Sequence, residues 1–218
     1  KKNKEVRMYC AVNVAKPADG KIADFTAWMQ EWMSVMTEHD VTHSIKVASV
    51  GEPEPHVYAI TMAKDAQEFG EQMDAVRSSS SFKTWYGRAA SDRISHGVDS
   101  FMMDLQQGYE STPTISEGVI VSTIWTVDNL LDFYTNVATA RDIHERNGAI
   151  VRAWSIYGGR YAGAMAYNMS FESMAAYGKA FEGARAEMQV LNQEVVAKGT
   201  VSARVLAGTV LENPIIVA

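Results

Sequence analysis

At 218 residues the chain has room for one large domain or two small ones, and its 47% apolar content supplies a core. With only 21% charged residues and five prolines it is not a disordered chain. A net charge of −6 sets it against nucleic acid and anionic membranes, which attract positive surface. The one cysteine, Cys10, excludes an internal disulfide and fits a cytoplasmic location. Because the chain does not start with methionine, a cleaved secretory leader is left open. No run approaches about 20 apolar residues, so no membrane span is expected.

In chain order, "VRMYCAVNV" alternates, with Val6, Met8, Cys10, Val12 and Val14 on one face, and reads as a strand. Ile22, Phe25, Trp28, Met29, Trp32, Met33 and Met36 step by three and four, which predicts a helix from Lys21 to Glu38. "VTHSIKVASV" and "HVYAITM" are strands around the loop "GEPEP", where two prolines would remove ladder donors. Asp65 with Glu68 three residues on predicts a capped second helix. That helix weakens at Ser78–Ser81 and resumes with Phe82, Trp85 and Tyr86. "ISHGVDSFMMDL" is a fourth strand, followed by a polar stretch of linker character, residues 107–118.

The second half has the same order. "VIVSTIWTV" is a strand, and Asp128 is expected to cap a helix ending near Arg146. "AIVRAWSIY" and "RYAGAMAYNM" are strands expected to be joined by a tight Gly158-Gly159 turn. Ser170 is expected to cap a long helix carrying Met174, Tyr177, Phe181, Ala184, Met188, Leu191 and Val195. "VSARVLAGTVLE" closes the series.

The halves repeat each other. "IADF" from Ile22 matches "LLDF" from Leu130 at an offset of 108, as do Phe69-Gly70 with Tyr177-Gly178 and Met73 with Phe181. Met62 with Met169 and Gly51 with Gly158 match at 107. Each half is therefore β-α-β-β-α-β. One such unit leaves a sheet face bare, and two can bury these faces against each other, so nearly all strands should be covered on both sides.

The two βαββαβ halves, the IADF and LLDF helices and the Tyr157-Gly158-Gly159-Arg160 hairpin resemble the dimeric α+β barrel superfamily in its fused tandem form. The resemblance runs from about Glu5 to Glu212. It implies an α+β fold of two fused ferredoxin-like units, residues 5–106 and 119–212, forming a pseudo-dimeric barrel. The superfamily includes cofactor-free monooxygenases, haem-binding enzymes, polyketide cyclases and isomerases. Its ligands usually sit between the sheet and the helices of a unit, or within the barrel.

The candidate chemistry is sparse. His43 lies in phase with Ile45 and Val47, while His56 and Tyr58 share a face of the next strand, so the three form a candidate acid–base cluster. The competing reading is a satisfied core histidine beside a loop-edge one. Arg152 is in phase with Trp154 and needs either an internal ion pair or an anionic ligand. Its repeat mate and that of Trp154 are taken as Ile45 and Val47. Trp125 and Trp154 are candidate substrate walls. His39 and His43 are four apart, but a helix end between them breaks metal spacing, so no metal site is expected. The twelve methionines fit a core first and also suit an adaptable pocket.

Three functions follow as expectations. The first is binding of a small apolar or aromatic molecule in a barrel pocket, as a monooxygenase, isomerase or cyclase without a cofactor, with His43 as base, His56 and Tyr58 orienting it, and Arg152 stabilising an oxyanion. The second is a structural or interaction protein with a filled barrel. The third is haem binding through His96. Further oligomerisation is not readable from the sequence.

Overall fold

The computed structural model describes residues 8–51, 56–109 and 118–212. Among these the elements run β1 (Tyr9–Pro17), α1 (Ile22–Glu38), β2 (Thr42–Val50), β3 (Val57–Ala63), α2 (Ala66–Ser78), α3 (Ser80–Asp92) and β4 (Ser95–Leu105). The second half continues with β5 (Val119–Val127), α4 (Leu130–Arg146), β6 (Ile150–Gly159), β7 (Met165–Phe171), α5 (Met174–Ala197) and β8 (Val201–Glu212). Most of the expected linker and of the "GEPEP" loop lies outside the described residues. No described helix is long and apolar enough to cross a membrane.

The strands form one closed antiparallel barrel in the order β1-β3-β2-β8-β5-β7-β6-β4. Each half contributes a ferredoxin-like sheet, and the halves join edge to edge along β2·β8 and β4·β6. Closure satisfies backbone groups that an open edge would expose. The barrel lumen is packed by Cys10, Val12, Tyr58, Phe101, Met103, Ile124, Trp154, Ile156, Ala166 and Leu211 from the strands, with Ala164 and Tyr161 from the β6–β7 turn. Two further clusters lie outside the barrel wall. One packs α1, with Val76 of α2, against β2 and β3, and the other packs α4 and α5 against β5, β6 and β7. Cover on both sides does not extend to β4, where Val98 and Met102 are exposed.

The caps show why the helices start where they do. Asp65 accepts from the Glu68 N–H at 2.8 Å, as expected, and Ser79 accepts from the Phe82 N–H at 3.1 Å, which turns the serine run into a clean break between α2 and α3. Asn129, not Asp128, caps α4, by accepting from the Asp132 N–H at 3.2 Å. Ser173, not Ser170, caps α5, by accepting from the Ala176 N–H at 3.1 Å. Ser170 is still inside β7, paired with Ile120 and Ile150.

The structure corrects two parts of the repeat. Thr42 pairs Met62 in the first half and Ile150 pairs Ser170 in the second, so the offset through these strands is 108 and not 107. Gly51 therefore corresponds to Gly159. The repeat mates of Arg152 and Trp154 are Ser44 and Lys46, not Ile45 and Val47. The expected Gly158-Gly159 turn is also absent. Both glycines belong to β6, paired with Met102 and Phe101 of β4, and the chain reverses over Arg160–Gly163.

Gly51 and Gly159 occupy matching places at the two seams. Both have positive φ, +98 and +85. A side-chain carbon at Gly51 would meet Thr209 of β8, and one at Gly159 would fall inside the Ser100 and Phe101 backbone of β4. Gly163 has a similar φ of +88 but open space around it. Replacing Gly159 with alanine should therefore cost more than about 2 kcal/mol, whereas Gly163→Ala should cost only the backbone strain of about 1 kcal/mol. Urea denaturation of the two variants measures the difference, which isolates the close approach at the seam.

Candidate functional site

A cavity of about 810 Å³ lies in the second half, between the β5–β7 side of the barrel wall and helices α4 and α5. Its floor is Val121, Met169 and Phe171. Its roof is built on α4 and α5, where the buried faces present small residues, Ala140, Ala180 and Ala184. An apolar space of this size is within the range of small-molecule sites.

The repeat explains why the cavity is in this half. Helices α1 and α4 have equal lengths and are offset by 108, so Trp28, Trp32 and Met36 correspond to Asn136, Ala140 and His144. In the first half the equivalent space is filled. Trp28 stacks on Trp85 of α3 with ring centres 4.5 Å apart and planes 8° from parallel. Each indole N–H donates to the other residue's backbone carbonyl, at 3.1 and 2.8 Å. Trp32 packs edge-on against His43. In the second half two indoles give way to an amide and a methyl group, and by the same count Gln193 stands where Trp85 would. The lost volume opens as the cavity.

Polar groups enter this apolar space at a few points. His144 Nδ1 lies 2.8 Å from the Tyr167 hydroxyl, and both side chains line the cavity. Burial holds the His144 pKa below its ordinary value, partly offset by the Ala140 carbonyl, so the ring is neutral at neutral pH. Burial pushes the Tyr167 hydroxyl up, assisted by Tyr109 and Glu145, so it stays protonated. With its proton on Nδ1, the neutral imidazole donates to the Tyr167 oxygen and leaves Nε2 as a free base. On the strand beside them, Trp125 Nε1 donates to Thr123 Oγ1 at 3.1 Å and Thr123 donates to the Tyr167 carbonyl at 3.1 Å, which fixes the Trp125 ring at the wall.

Of the residues singled out by sequence, Trp125 lines the cavity. The other five do not come together there. His43 faces α1, with its ring against Trp32 and Nδ1 2.8 Å from the Val41 carbonyl. Tyr58 faces the lumen, so it and His43 are on opposite sides of the barrel wall and the expected cluster does not form. His56 precedes β3, where its carbonyl accepts from the Ala48 N–H at 2.9 Å. Trp154 packs in the lumen. Arg152 is 9% exposed, with Nη1 3.8 Å from Met8 Sδ, and burial lowers its pKa while Cys10 opposes this. Burial pushes the Cys10 thiol up to about 12, making it an inert core group. His96 is exposed on β4 and does not line the cavity, so haem held through His96 would sit outside it.

By sequence His144, in "DIHERNG" near a helix end, reads as solvent-facing, whereas the side chain is half-buried and lines the cavity; nothing in the sequence singles out Tyr167 or Lys46. Lys46 is 1% exposed in β2, opposite Tyr58, and donates to the Gly118 carbonyl at 3.2 Å. Comparing repeat mates at 108 would have exposed His144, since it replaces a core methionine.

Fold and cavity together define a fused tandem dimeric α+β barrel with a ligand-sized space in its second half. No family model and no curated protein matches the chain. Solved structures match it over nearly its whole length. A Fusobacterium nucleatum protein described as a candidate monooxygenase aligns with a TM-score of 0.63 at 11% identity, covering 96% of this chain and 95% of its own. A similarly described Lactobacillus acidophilus protein gives 0.58 at 10% identity over 95% and 93%. A variant of chlorite dismutase from Candidatus Nitrospira defluvii gives 0.56 at 7% identity over 95% and 91%. At these identities the likeness establishes the shared fold.

The depressed His144 pKa has a stability consequence. The unfolded chain takes up a proton near the ordinary value of 6.5 and the folded chain only at lower pH. Stability attributable to neutral His144 is therefore complete above that value and declines as pH falls through it toward the folded pKa. Thermal melts between pH 7.5 and 5.5 should show a smaller loss for His144→Gln than for the parent. Identical slopes would remove the assignment.

Proposed function

We propose that this protein binds a planar aromatic small molecule in the second-half cavity and exchanges a proton with it through the His144–Tyr167 pair. The observation that carries this reading is the contrast between the halves. One scaffold is duplicated; the first copy fills its helix–sheet space with Trp28, Trp32 and Trp85, and the second leaves it open and supplies a histidine–tyrosine pair. A core under selection for stability alone would be filled in both copies, because unfilled volume costs packing energy.

The chemistry follows from the lining. Val121, Phe133, Phe171 and Trp125 offer flat apolar walls for a ring system. A hydroxyl or acidic C–H of the ligand facing His144 can pass its proton to the neutral imidazole. The proton goes to Nε2, Nδ1–H keeps its bond to the Tyr167 oxygen, and the Tyr167 O–H is left free to donate to the resulting oxyanion or enolate. Such a proton transfer is common to oxygenation, isomerisation and cyclisation of aromatic compounds. The neighbours described as monooxygenases and chlorite dismutase support a small-molecule role through the fold they share with this chain.

The test is a thermal-shift titration with 1-naphthol, a neutral fused-ring phenol. A ligand that binds only the folded state must raise the melting temperature, by RT ln(1 + [L]/Kd) in stability, or about 2.7 kcal/mol at a hundredfold excess over Kd. Ala184→Trp, which fills the roof, should remove the shift. No shift with the parent protein, or an equal shift with the filled variant, would refute binding at this site.

A further inference from the structure

We propose that the ligand is an aromatic carboxylate, with its ring system on the apolar floor and its anionic end held by Arg185. This deepens the reading that the cavity binds a small aromatic molecule and rests on it.

The argument starts from charge. Among the described lining residues there is no Asp or Glu, and the one permanent cation is Arg185. Beside it along α5 stand the carboxamides Gln189, Asn192 and Gln193, with Asn136 contributed by α4. A cationic ligand would find no carboxylate to neutralise it. An anionic ligand would find a guanidinium and amide donors. The chain as a whole carries −6, so an anion is repelled at a distance and a local cation must overcome that repulsion at the site. Arg185 is the lining residue equipped to do so.

Position supports the same assignment. Arg146 Nη2 pairs with Glu187 Oε2 at 3.0 Å, and Gly183 sits against Asn147. The Gly183–Glu187 stretch of α5 thus flanks the C-terminal end of α4, where His144 meets Tyr167. Arg185 lies at the same level along α5 as these contacts but on the other side of the helix, with Phe181, Met188 and Asn192 of the lining.

The present partner of Arg185 is weak. Its Nη1 is 3.7 Å from Glu182 Oε2, and the two side chains are 67% and 69% exposed. An exposed pair one helical turn apart and beyond hydrogen-bond reach contributes little. A ligand carboxylate docked at the cavity mouth can offer two parallel N–H···O bonds in a drier setting, which is the stronger arrangement for a guanidinium.

The experiment compares three probes of nearly equal shape by calorimetry and by tryptophan fluorescence: 1-naphthoate, its neutral isostere 1-naphthamide, and 1-naphthol. The parent protein should bind 1-naphthoate about tenfold more tightly than 1-naphthamide, the scale of one hydrogen bond to a charged group. Arg185→Gln should bring that ratio close to one, chiefly by weakening naphthoate binding. Glu182→Gln, which removes the competing carboxylate, should widen the ratio. Both substitutions are at exposed positions and test the charge without emptying the core. Equal affinities for the acid and the amide in the parent protein, or a preference that survives Arg185→Gln, would overturn the carboxylate assignment while the cavity reading stands. Failure of all three probes to bind would overturn the cavity reading and this proposal with it.

Discussion

The constraint on which everything else depends is closure of the sheet. A βαββαβ unit has two unpaired edges and a bare face, and neither is tolerated well in water. Joining β2 to β8 and β4 to β6 settles both at once, because the edges pair and the bare faces become a common lumen. The seams require backbones to approach closely, and this is where Gly51 and Gly159 stand with positive φ against Thr209 and the Ser100–Phe101 segment. A side chain at Gly159 would force a strand out of line, and one at Gly51 would press on Thr209. The lumen that results is packed almost entirely from strands, and even its buried Lys46 turns its ammonium to the Gly118 carbonyl.

With the lumen filled, the room for variation is in the two helix layers outside it. These begin as copies of each other, and side-chain volume alone decides which becomes a cavity. In the first layer Trp28 and Trp85 are tied by stacking and by two reciprocal indole–carbonyl bonds, so the space between α1 and α3 is closed by rigid groups. In the second, Asn136, Ala140 and Gln193 stand at the corresponding positions, and α5 runs unbroken through the place where Ser79 separates α2 from α3. Duplication thus supplies one scaffold twice, with the helix–sheet space filled by tryptophans in one copy and open in the other.

The elements and the barrel were legible because their signals are local. Stepping by three and four located α1, and Asp65 with Glu68 located the start of α2. What was not legible depends on register or on absence. An offset of 107 instead of 108 shifts every strand position to the opposite face, because side chains alternate with period two. That single residue disguised Lys46 as the apolar Val47 in the comparison with Trp154. The same alternation defeated the His43–Tyr58 cluster. Both faces of β2 and β3 are covered, so hydropathy could not say which looks into the lumen and which under α1. The cavity escaped because small residues such as Ala140 and Ala184 carry no motif. They are informative only beside Trp32 and Val76, their mates in the other half.

The replacement of Met36 by His144 is the point at which stability and function separate. At that place on the helix a methionine packs at 2% exposure in the first half and asks nothing of the solvent. A histidine in the second half must lose hydration, and burial disfavours its charged form. Its hydrogen bond to the Tyr167 hydroxyl offsets part of that cost, a cost the methionine of the first half does not incur. A partly buried imidazole kept neutral, facing an apolar volume that the first half fills, makes sense as chemistry held ready for a guest. The same substitution at the filled copy would place a histidine against tryptophans and serve no ligand.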